Sequence, residues 1–596
     1  MGLVSYEKPV EAAKGELPKH FGPVARTRIA FAIFAIVGVA CIFFVPYLVP
    51  VKPAAGYSYA FGFNNNAAII LLLCFAGIGA LWQRQGPLFV LPREPDIHIG
   101  RRTLVIGLFI TVFFCALAYP LVNRATPVAD AGYFINRMRL LYSGKLPYVD
   151  FEFAYGPMLL YVPLWIAELF HMSIPTGYYI FWVITELVGV LLAARVLNAI
   201  DILTRAKPTI FFLFCAASSA TFIIGGVNYT FFRFALAPFL ALQIHEIDLK
   251  LENRRQAIWI VASLVIFAFA FLELVSPEIG LAFGVAFAAF LLFSRGGRPG
   301  QEWITLSTSL AGIVGILWLA NRAHLLDTMK AFAGGARGFP MVPSAHLFLF
   351  LICVFLAVLH LARTWPRWGS SRSSLVVLIS IPMLASALNS CDPLHVFFSG
   401  FGILAIGLIY LSKSKKVWDL TCIVFVYFFI VGSFAGLFIE RLPQYTVIME
   451  GHSENSVFQG RLSQHILFPH SHGILQAPLG FHLPSGEPYY APWVDTGRFI
   501  STLNAPTVGD IAIKERELAT HPEREVILPR GFEGMRKFNV DSGRSWLEVE
   551  FDAPYFMPLR HPNNPYGKLV DYIEQHYHRV ALASSKSLGY AVWARN

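Results

Sequence analysis

The chain has 596 residues, of which 56% are hydrophobic and only 14% charged, and it carries a formal net charge of +10. Soluble globular proteins hold about 45–50% apolar and about 25% charged residues, so this composition excludes an ordinary soluble protein. The Lys and Arg residues occur in short runs between apolar segments rather than in one basic patch, which argues against a nucleic-acid partner. The 7 cysteines lie in or beside apolar segments and form no disulfide framework.

Long apolar segments recur along most of the chain. Residues 1–28 are polar and basic and lack a signal-peptide cleavage site, which predicts a cytosolic tail. About thirteen segments then approach or exceed the roughly 17 residues needed to cross a bilayer. They are 29–49, 66–83, 103–122, 178–199, 208–225, 234–249, 257–273, 279–293, 303–320, 345–362, 373–390, 396–412 and 417–439.

The basic residues of the connections predict the topology, because cytoplasmic loops are rich in Lys and Arg. The connections near 51–65, 274–278 and 391–395 carry only Lys52 among them and are predicted to be outer. This alternation holds only if residues 157–170 do not cross, so a re-entrant or interfacial helix is predicted there. The basic connections, predicted to be inner, lie within 84–102, 195–207, 250–255, 295–298, 363–372 and 413–416.

The predicted fold class is an all-α polytopic membrane protein with a C-terminal mixed α/β domain outside the membrane. Residues 525–529 and 545–551 have strand patterns, whereas 566–577 have helical spacing. The predicted divisions are a tail at 1–28, a two-helix extension at 29–100, a membrane module at 101–439 with an outer loop at 123–177, and an extracytoplasmic domain at 440–596.

The outer loop contains the most specific motif of the chain. It reads DAGYFINRMRLLYSGKLPYVDFEFAYGPMLLY over residues 130–161. An acid beyond a span, an aromatic three residues later, Gly-x-x-Pro-Tyr-x-Asp and Tyr-Gly-Pro together resemble the first outer loop of GT-C fold glycosyltransferases. That superfamily includes protein O-mannosyltransferases, the lipid A aminoarabinose transferase and the mycobacterial arabinosyltransferases. The resemblance implies a polyprenyl-phosphate sugar donor and a catalytic acid at Asp130.

A carboxylate suits this chemistry, because an acceptor hydroxyl must lose its proton as it attacks the anomeric carbon. Asp130 is therefore the predicted catalytic base, although Asp before an amphipathic segment also favours a helix N-cap. The negative charge of the departing phosphate must be stabilised by cations. The alternative role for the basic residues here is to extend to lipid headgroups. The candidate cations are Arg137, Arg139, Lys145, Arg233, Arg322, Lys330 and Arg337.

Further candidates for substrate binding lie in the same loop. They are Asp150, Glu152 and Tyr155. Asp150 and Glu152 are predicted to bind sugar hydroxyls or a metal, with turn capping as the alternative. Many GT-C enzymes have two adjacent acids where this chain has Asp130 and Ala131. This departure weakens the prediction of a metal, so no cofactor is certain and a divalent cation stays an open alternative.

Two other predicted outer turns carry polar candidates for the same cavity. Asp392 and His395 form an Asp-x-x-His element, for which a helix cap with a satisfied His is the alternative. Glu273 and Glu278 have apolar flanks, where unpartnered acids are costly. The later histidines lack metal-ligand spacing and do not favour zinc; they are His465, His470, His472 and His482.

The sequence thus predicts an inverting glycosyltransferase in the cytoplasmic (inner) membrane, multi-pass, with its N-terminus cytosolic. Its expected partners are a polyprenyl-phosphate sugar, a glycan, lipid or protein acceptor, and membrane lipid. A polysaccharide ligase or polymerase and a lipid or sugar transporter are the alternatives. Transporters hold their ionisable groups near the bilayer midplane, whereas these acids cluster at span ends.

Overall fold

A computed structural model provides the structure of the chain. It describes most of the predicted membrane module and short parts of the C-terminal region. The described ranges are 23–50, 63–85, 94–123, 129–149, 153, 155–221, 226–251, 254–293, 299–326, 345–365, 371–389, 393–426, 469–470, 473–474, 489–490, 519, 525–529, 565–580 and 590–596.

The described residues before 430 are almost entirely helical, and each predicted apolar segment overlaps at least one helix. The helices are α1 Pro23–Phe44, α2 Asn65–Gln85, α3 Arg101–Asn123, α4 Ala129–Tyr142, α5 Met158–Leu169, α6 Ile174–Ala199, α7 Lys207–Thr221, α8 Phe231–Lys250, α9 Arg254–Val275, α10 Pro277–Phe293, α11 Pro299–Arg322, α12 Ala345–Thr364, α13 Arg372–Met383, α14 Ala385–Asn389, α15 Pro393–Ser399, α16 Phe401–Leu411 and α17 Lys415–Phe425.

Within the described ranges, 5 helices are long and apolar enough to cross a membrane by length and composition. They correspond to α1, α6, α9, α11 and α12, and they identify the chain as a membrane protein. The predicted number of thirteen crossings therefore stays a prediction. Trp303 and Trp318 of α11 are both exposed and lie about 22 Å apart along the helix, as in the aromatic belts of membrane proteins.

Helix α5 occupies the segment predicted to be too short for a crossing. It follows Pro157 and has 12 residues, or about 18 Å, against a hydrocarbon core of about 30 Å. His171, with φ 50°, ends it. The amide of Met172 donates to Ala167 O at 2.9 Å and that of His171 to Glu168 O at 3.2 Å, which is a Schellman cap. The predicted helix is confirmed, while its place in the outer leaflet stays a prediction.

One group of predicted inner connections is joined by polar contacts, which we call the Asp96 cluster. Lys207 Nζ pairs with Asp96 Oδ2 at 2.9 Å. The Asp201 carboxylate accepts from the amides of Arg372 and Ser373 at 3.1 Å each, which caps α13. Further contacts join Lys413 to Glu94 at 3.3 Å, Asn198 to Ile99 at 2.8 Å and Thr204 to Ser412 at 3.2 Å. Segments that the charge pattern assigned to one side thus lie together.

The described C-terminal elements are strands and one helix: β1 Pro469–His470, β2 Gly473–Ile474, β3 Tyr489–Tyr490, β4 Glu525–Pro529, α18 Pro565–His576, β5 Tyr577–Val580 and β6 Tyr590–Arg595. Strand β4 and helix α18 match the patterns predicted at 525–529 and 566–577, whereas 545–551 lies outside the described residues. One sheet has the order β3-β4-β6-β5, with β3 and β4 parallel and the other pairs antiparallel.

Aromatic side chains form the part of the core that joins α7, α8, α15 and α16. Phe231 packs against Phe397 at 5.8 Å and Phe401 at 5.0 Å between ring centroids. Phe214 of α7 contacts the same rings. Such pairs prefer tilted or edge contacts that fix their relative orientation. This packing holds the first turn of α8 and places the polar residues that precede and follow it.

Candidate functional site

A buried arginine organises the end of the bundle opposite the Asp96 cluster. Arg233 lies in the first turn of α8, and only 5% of its surface is exposed. A buried cation is stable only with charged and hydrogen-bonding partners. The residues around it form what we call the Arg233 cluster: Tyr155, Asn228, Arg233, Ser276 and Glu278.

The guanidinium of Arg233 is engaged on three nitrogens. Nε donates to Ser276 Oγ at 2.7 Å, and Nη1 donates to the carbonyl oxygen of Asn228 at 2.9 Å. Nη2 forms an ion pair with the Glu278 carboxylate in the first turn of α10. Three fixed donors hold a planar guanidinium in one orientation. The charge of Arg233 is therefore balanced inside the protein by Glu278.

Tyr155, from the Tyr-Gly-Pro motif, lies against the guanidinium. Arg233 Cζ is 4.9 Å from the centroid of the Tyr155 ring, which is a cation–π contact. The Tyr155 hydroxyl accepts a hydrogen bond from Asn228 Nδ2 at 2.8 Å. On its other side the ring stacks on Phe134 of α4 at 5.0 Å. Tyr155 thus joins the loop helix α4 to the start of α8.

Gly156 brings the same motif into backbone contact with α9. Its amide donates to Val275 O at 3.2 Å. A Cβ atom at this position would overlap the carbonyl groups of Leu274 and Val275. Only glycine permits so close an approach of two backbones. The motif needs glycine here because the loop lies directly on the end of α9.

The segment between α4 and Tyr155 begins with a tight cap. Gly144, with φ +88°, and Lys145 donate from their amides to Leu141 O at 2.9 Å and Leu140 O at 3.1 Å, a Schellman motif that ends α4. Tyr148 has φ 67°, a conformation that is uncommon for a residue with a side chain. Its hydroxyl donates to Tyr155 O at 2.6 Å. This hydrogen bond therefore joins the residue before positions 150–152 to the residue after them.

A second pair of polar side chains connects the start of α8 to α15. The hydroxyl of Tyr229 lies 2.8 Å from Nε2 of His395. The rings meet edge to face with centroids 5.0 Å apart. His395 comes from the predicted Asp-x-x-His element, and its imidazole has the partner that the structural alternative anticipates. The pair places that element beside the loop that carries Asn228.

Glu273 is the other acid at this end of α9. It is 2% exposed, and neither carboxylate oxygen has a hydrogen-bond partner among the described residues. A Cβ on Gly280 would meet Glu273 Oε1, so the absence of a side chain there makes room for the carboxylate. Glu273 and Glu278 are thus on the same helical hairpin, but only Glu278 is shown to pair with Arg233.

The other predicted site residues are placed as follows. Asp130 is the second residue of α4, Arg137 is buried in the same helix, and Lys145 is half-buried after its end. Arg322 is exposed and stacks on Trp318 at 5.3 Å, as an interfacial residue would. The predictions for Asp150, Glu152, Lys330, Arg337 and Asp392 lie outside the described residues.

A divalent cation is an open alternative from the sequence, but the described residues contain no cluster of metal ligands. No group of 3 or more His, Cys, Asp or Glu residues there could hold a metal ion. The described acids of the Arg233 cluster are limited to Glu278, which is paired with a cation. Neither carboxylate oxygen of Glu273 has a hydrogen-bond partner among the described residues, and the imidazole of His395 lies beside the phenol of Tyr229.

Several residues that build this site are not predicted from the sequence. Asn228, Tyr229 and Ser276 are uncharged and lie at helix junctions, where turn residues are common. Their positions at predicted outer span ends were the only signal available. Their partners lie up to 166 residues away in the chain, as for Tyr229 and His395, and no local pattern encodes such pairs.

No known family model and no curated protein sequence matches the chain. Among solved structures, the chain is similar to an Archaeoglobus fulgidus oligosaccharyltransferase in complex with Zn and sulfate. The identity is 12%, covering 72% of this chain and 68% of that one, with a TM-score of 0.36. A structure of the same enzyme tethered to an acceptor peptide containing the NVT sequon gives 12% identity, coverage of 82% and 80%, and a TM-score of 0.39. At these scores the likeness does not establish a shared fold.

Proposed function

We propose that the protein is an inverting GT-C-type glycosyltransferase that moves a sugar from a polyprenyl-phosphate donor to an acceptor hydroxyl. The motif at 130–161 implies the reaction, and the proposed site lies at the Arg233 cluster. The acceptor is a glycan, a lipid or a protein. We further propose that the chain is a multi-pass protein of the cytoplasmic membrane and acts at its outer face.

One observation carries the proposal. The Tyr-Gly-Pro end of the motif contacts the start of α8 through Tyr155 and the end of α9 through Gly156, and Arg233 of α8 pairs in turn with Glu278 at the start of α10. Four segments predicted to be outer therefore meet at one end of the bundle: the motif, the turn before α8, the α9–α10 turn and, through His395, α15. A reaction between a membrane-held donor and an external acceptor requires such a convergence at a bilayer surface.

In the proposed reaction, the acceptor oxygen attacks the anomeric carbon while the bond from that carbon to the phosphate oxygen breaks. Asp130 takes the acceptor proton, and polyprenyl phosphate leaves as the anion. A single displacement inverts the anomeric configuration. Arg137, Lys145 and Arg337 are the proposed partners of the phosphate charge. Asp150, Glu152, Glu273 and His395 are the proposed contacts for sugar hydroxyls.

The test is the substitution Asp130→Asn in the purified full-length protein. We expect kcat to fall by about 10²–10⁴-fold, the usual contribution of a general base, because an amide does not accept the proton at neutral pH. Donor binding should change little, since the replacement is nearly isosteric. The assay follows radiolabelled sugar from a lipid-linked donor into covalent product in detergent.

Asp150→Asn is the matched control in the same loop. If Asp150 only positions sugar, its loss should raise KM more than it lowers kcat. An Asp130→Asn protein with near-normal turnover would mean that the base lies elsewhere, with Asp150, Glu152 and Asp392 as the next candidates. No covalent transfer by the wild-type protein from any lipid-linked sugar would overturn the proposal itself.

A lipid or sugar transporter is the alternative that one observation favours. Glu186 is fully buried at the middle of α6 and accepts a hydrogen bond from Ser218. Ionisable groups at this depth mark ion pathways in transporters. A transport assay in liposomes, run beside the transfer assay in detergent, separates the two functions, because a transporter moves labelled lipid across the membrane without forming a covalent sugar product.

A further inference from the structure

We infer that Arg233 is a positioning residue of the proposed reaction. Through the ring of Tyr155, it sets where helix α4, and with it Asp130, lies on the bundle. The inference rests on the proposed function, because this placement affects turnover only if Asp130 acts in the reaction. It also differs from the expectation that Arg233 binds the leaving phosphate.

First, the positive charge of Arg233 is already neutralised by an ion pair within the protein. Its guanidinium is buried and pairs with Glu278, while Ser276 holds a second edge. A leaving phosphate is stabilised by cations whose charge is available to it. Because its charge is paired with Glu278, Arg233 is not assigned that role, and the face of its planar guanidinium contacts the aromatic rings of Tyr155 and Phe234.

The second step is that this face holds Tyr155. The Arg233 Cζ atom lies 4.9 Å from the ring centroid. At the far end of the ring, the hydroxyl accepts from Asn228 Nδ2 at 2.8 Å. The carbonyl of the same Asn228 accepts from Arg233 Nη1 at 2.9 Å. Arg233 therefore contacts the ring of Tyr155 and Asn228 contacts its hydroxyl, and together they hold the ring in one position and orientation.

The third step connects Tyr155 to the proposed base. The Tyr155 ring stacks on Phe134 with centroids 5.0 Å apart and an interplanar angle of 26°. Phe134 is completely buried and follows Asp130 by four residues in α4. Residues at this spacing lie on one face of a helix, one turn apart. A displacement of Tyr155 would therefore move the helix turn that carries Asp130.

The test substitution is Arg233→Lys, which keeps a positive charge opposite Glu278 but removes the planar face. We expect kcat to fall by about 100-fold, the loss typical of a misplacement of about 1 Å, with KM changed much less. Arg363→Lys is the matched control: Arg363 lies over Tyr410 at 5.9 Å, on the side of the Asp96 cluster. The control should retain full turnover.

A double-mutant cycle distinguishes positioning from general damage. If Arg233 acts through Asp130, Arg233→Lys should lower kcat very little in the Asp130→Asn background, because the group it positions is already gone. A loss that multiplies in full on that background would overturn the inference. So would near-normal turnover of the single Arg233→Lys variant.

Hydrogen exchange measured by mass spectrometry tests the structural step without any activity. Arg233→Lys should raise amide exchange in α4, whereas Arg363→Lys should leave α4 unchanged. If Arg233→Lys does not fold, Tyr155→Leu keeps the ion pair, removes the ring and should raise α4 exchange equally. Unchanged α4 exchange overturns the inference. A wild-type protein without transferase activity overturns the proposed function, while raised α4 exchange would still support the coupling.

Discussion

At the scale of single residues, the Tyr-Gly-Pro motif is defined by how closely it approaches α9. Gly156 donates to Val275 O at 3.2 Å, and the carbonyl groups there leave no room for a side chain. Tyr155, one residue earlier, is held by a ring contact and a hydrogen bond. The motif thus attaches the loop to α9 and α8, and it also lies beside the proposed site.

We predict that Gly156→Ala destabilises the protein. An added methyl group must push the loop away from α9, and overpacking of this kind costs about 1–3 kcal/mol. Gly315→Ala in α11 is the control, because nothing lies within 4 Å of its Cβ position. Alanine there should be neutral or stabilise the helix by about 0.5–1 kcal/mol. Thermal unfolding in detergent measures both changes, and equal Tm values for the two variants would contradict the steric account.

At the scale of elements, α5 is the helix on which the predicted topology depends. Its buried side includes Leu159, Leu160 and Leu164, whereas Trp165 and Leu169 are exposed. An apolar helix of 12 residues with an exposed tryptophan suits the boundary between headgroups and hydrocarbon. If α5 lies there, both of its ends face the same side of the membrane.

Cysteine labelling tests this placement. Ser143, after α4, and His171, after α5, are both exposed. We expect Ser143→Cys and His171→Cys to react equally with a membrane-impermeant maleimide added to intact cells, because the chain between them does not cross. The wild-type chain, whose described cysteines lie in helices, provides the background. Labelling of only one of the two introduced cysteines would show that α5 crosses the bilayer.

At the scale of the whole molecule, polar contacts concentrate at the two ends of the helix bundle. Helix α7 begins at Lys207 of the Asp96 cluster and runs for 15 residues, or about 22 Å, towards the turn that precedes α8. The connections that meet in the Asp96 cluster are those predicted to be inner. The structure therefore groups these connections as the loop charges do, and the absolute orientation is a separate prediction.

We predict that the Asp96 cluster faces the cytosol and that the chain ends outside. Ser414→Cys, beside Lys413, Lys415 and Lys416, should resist the impermeant reagent in intact cells and react after permeabilisation. A cysteine at the exposed Asn596 should react without permeabilisation. The reverse pattern would invert the topology and place the proposed reaction on the cytosolic face.

Much of the architecture follows from composition and loop charge. A hydrocarbon solvent requires every backbone group to be paired within the chain, so long apolar runs become helices whatever their neighbours are. For that reason each predicted apolar segment overlaps a helix. The short length of α5 and the strand at 525–529 could be predicted by the same local reasoning.

Which polar residues meet depends on how the helices pack in three dimensions. Arg233 is 45 residues from Glu278 and 78 residues from Tyr155 along the chain, yet it contacts both. From the sequence alone this arginine is predicted to bind phosphate, because an isolated cation near a span end gives no sign of its partner. Side-chain pairing depends on how α8, α9 and α10 pack, and helix packing is set by many distributed contacts rather than by a local pattern.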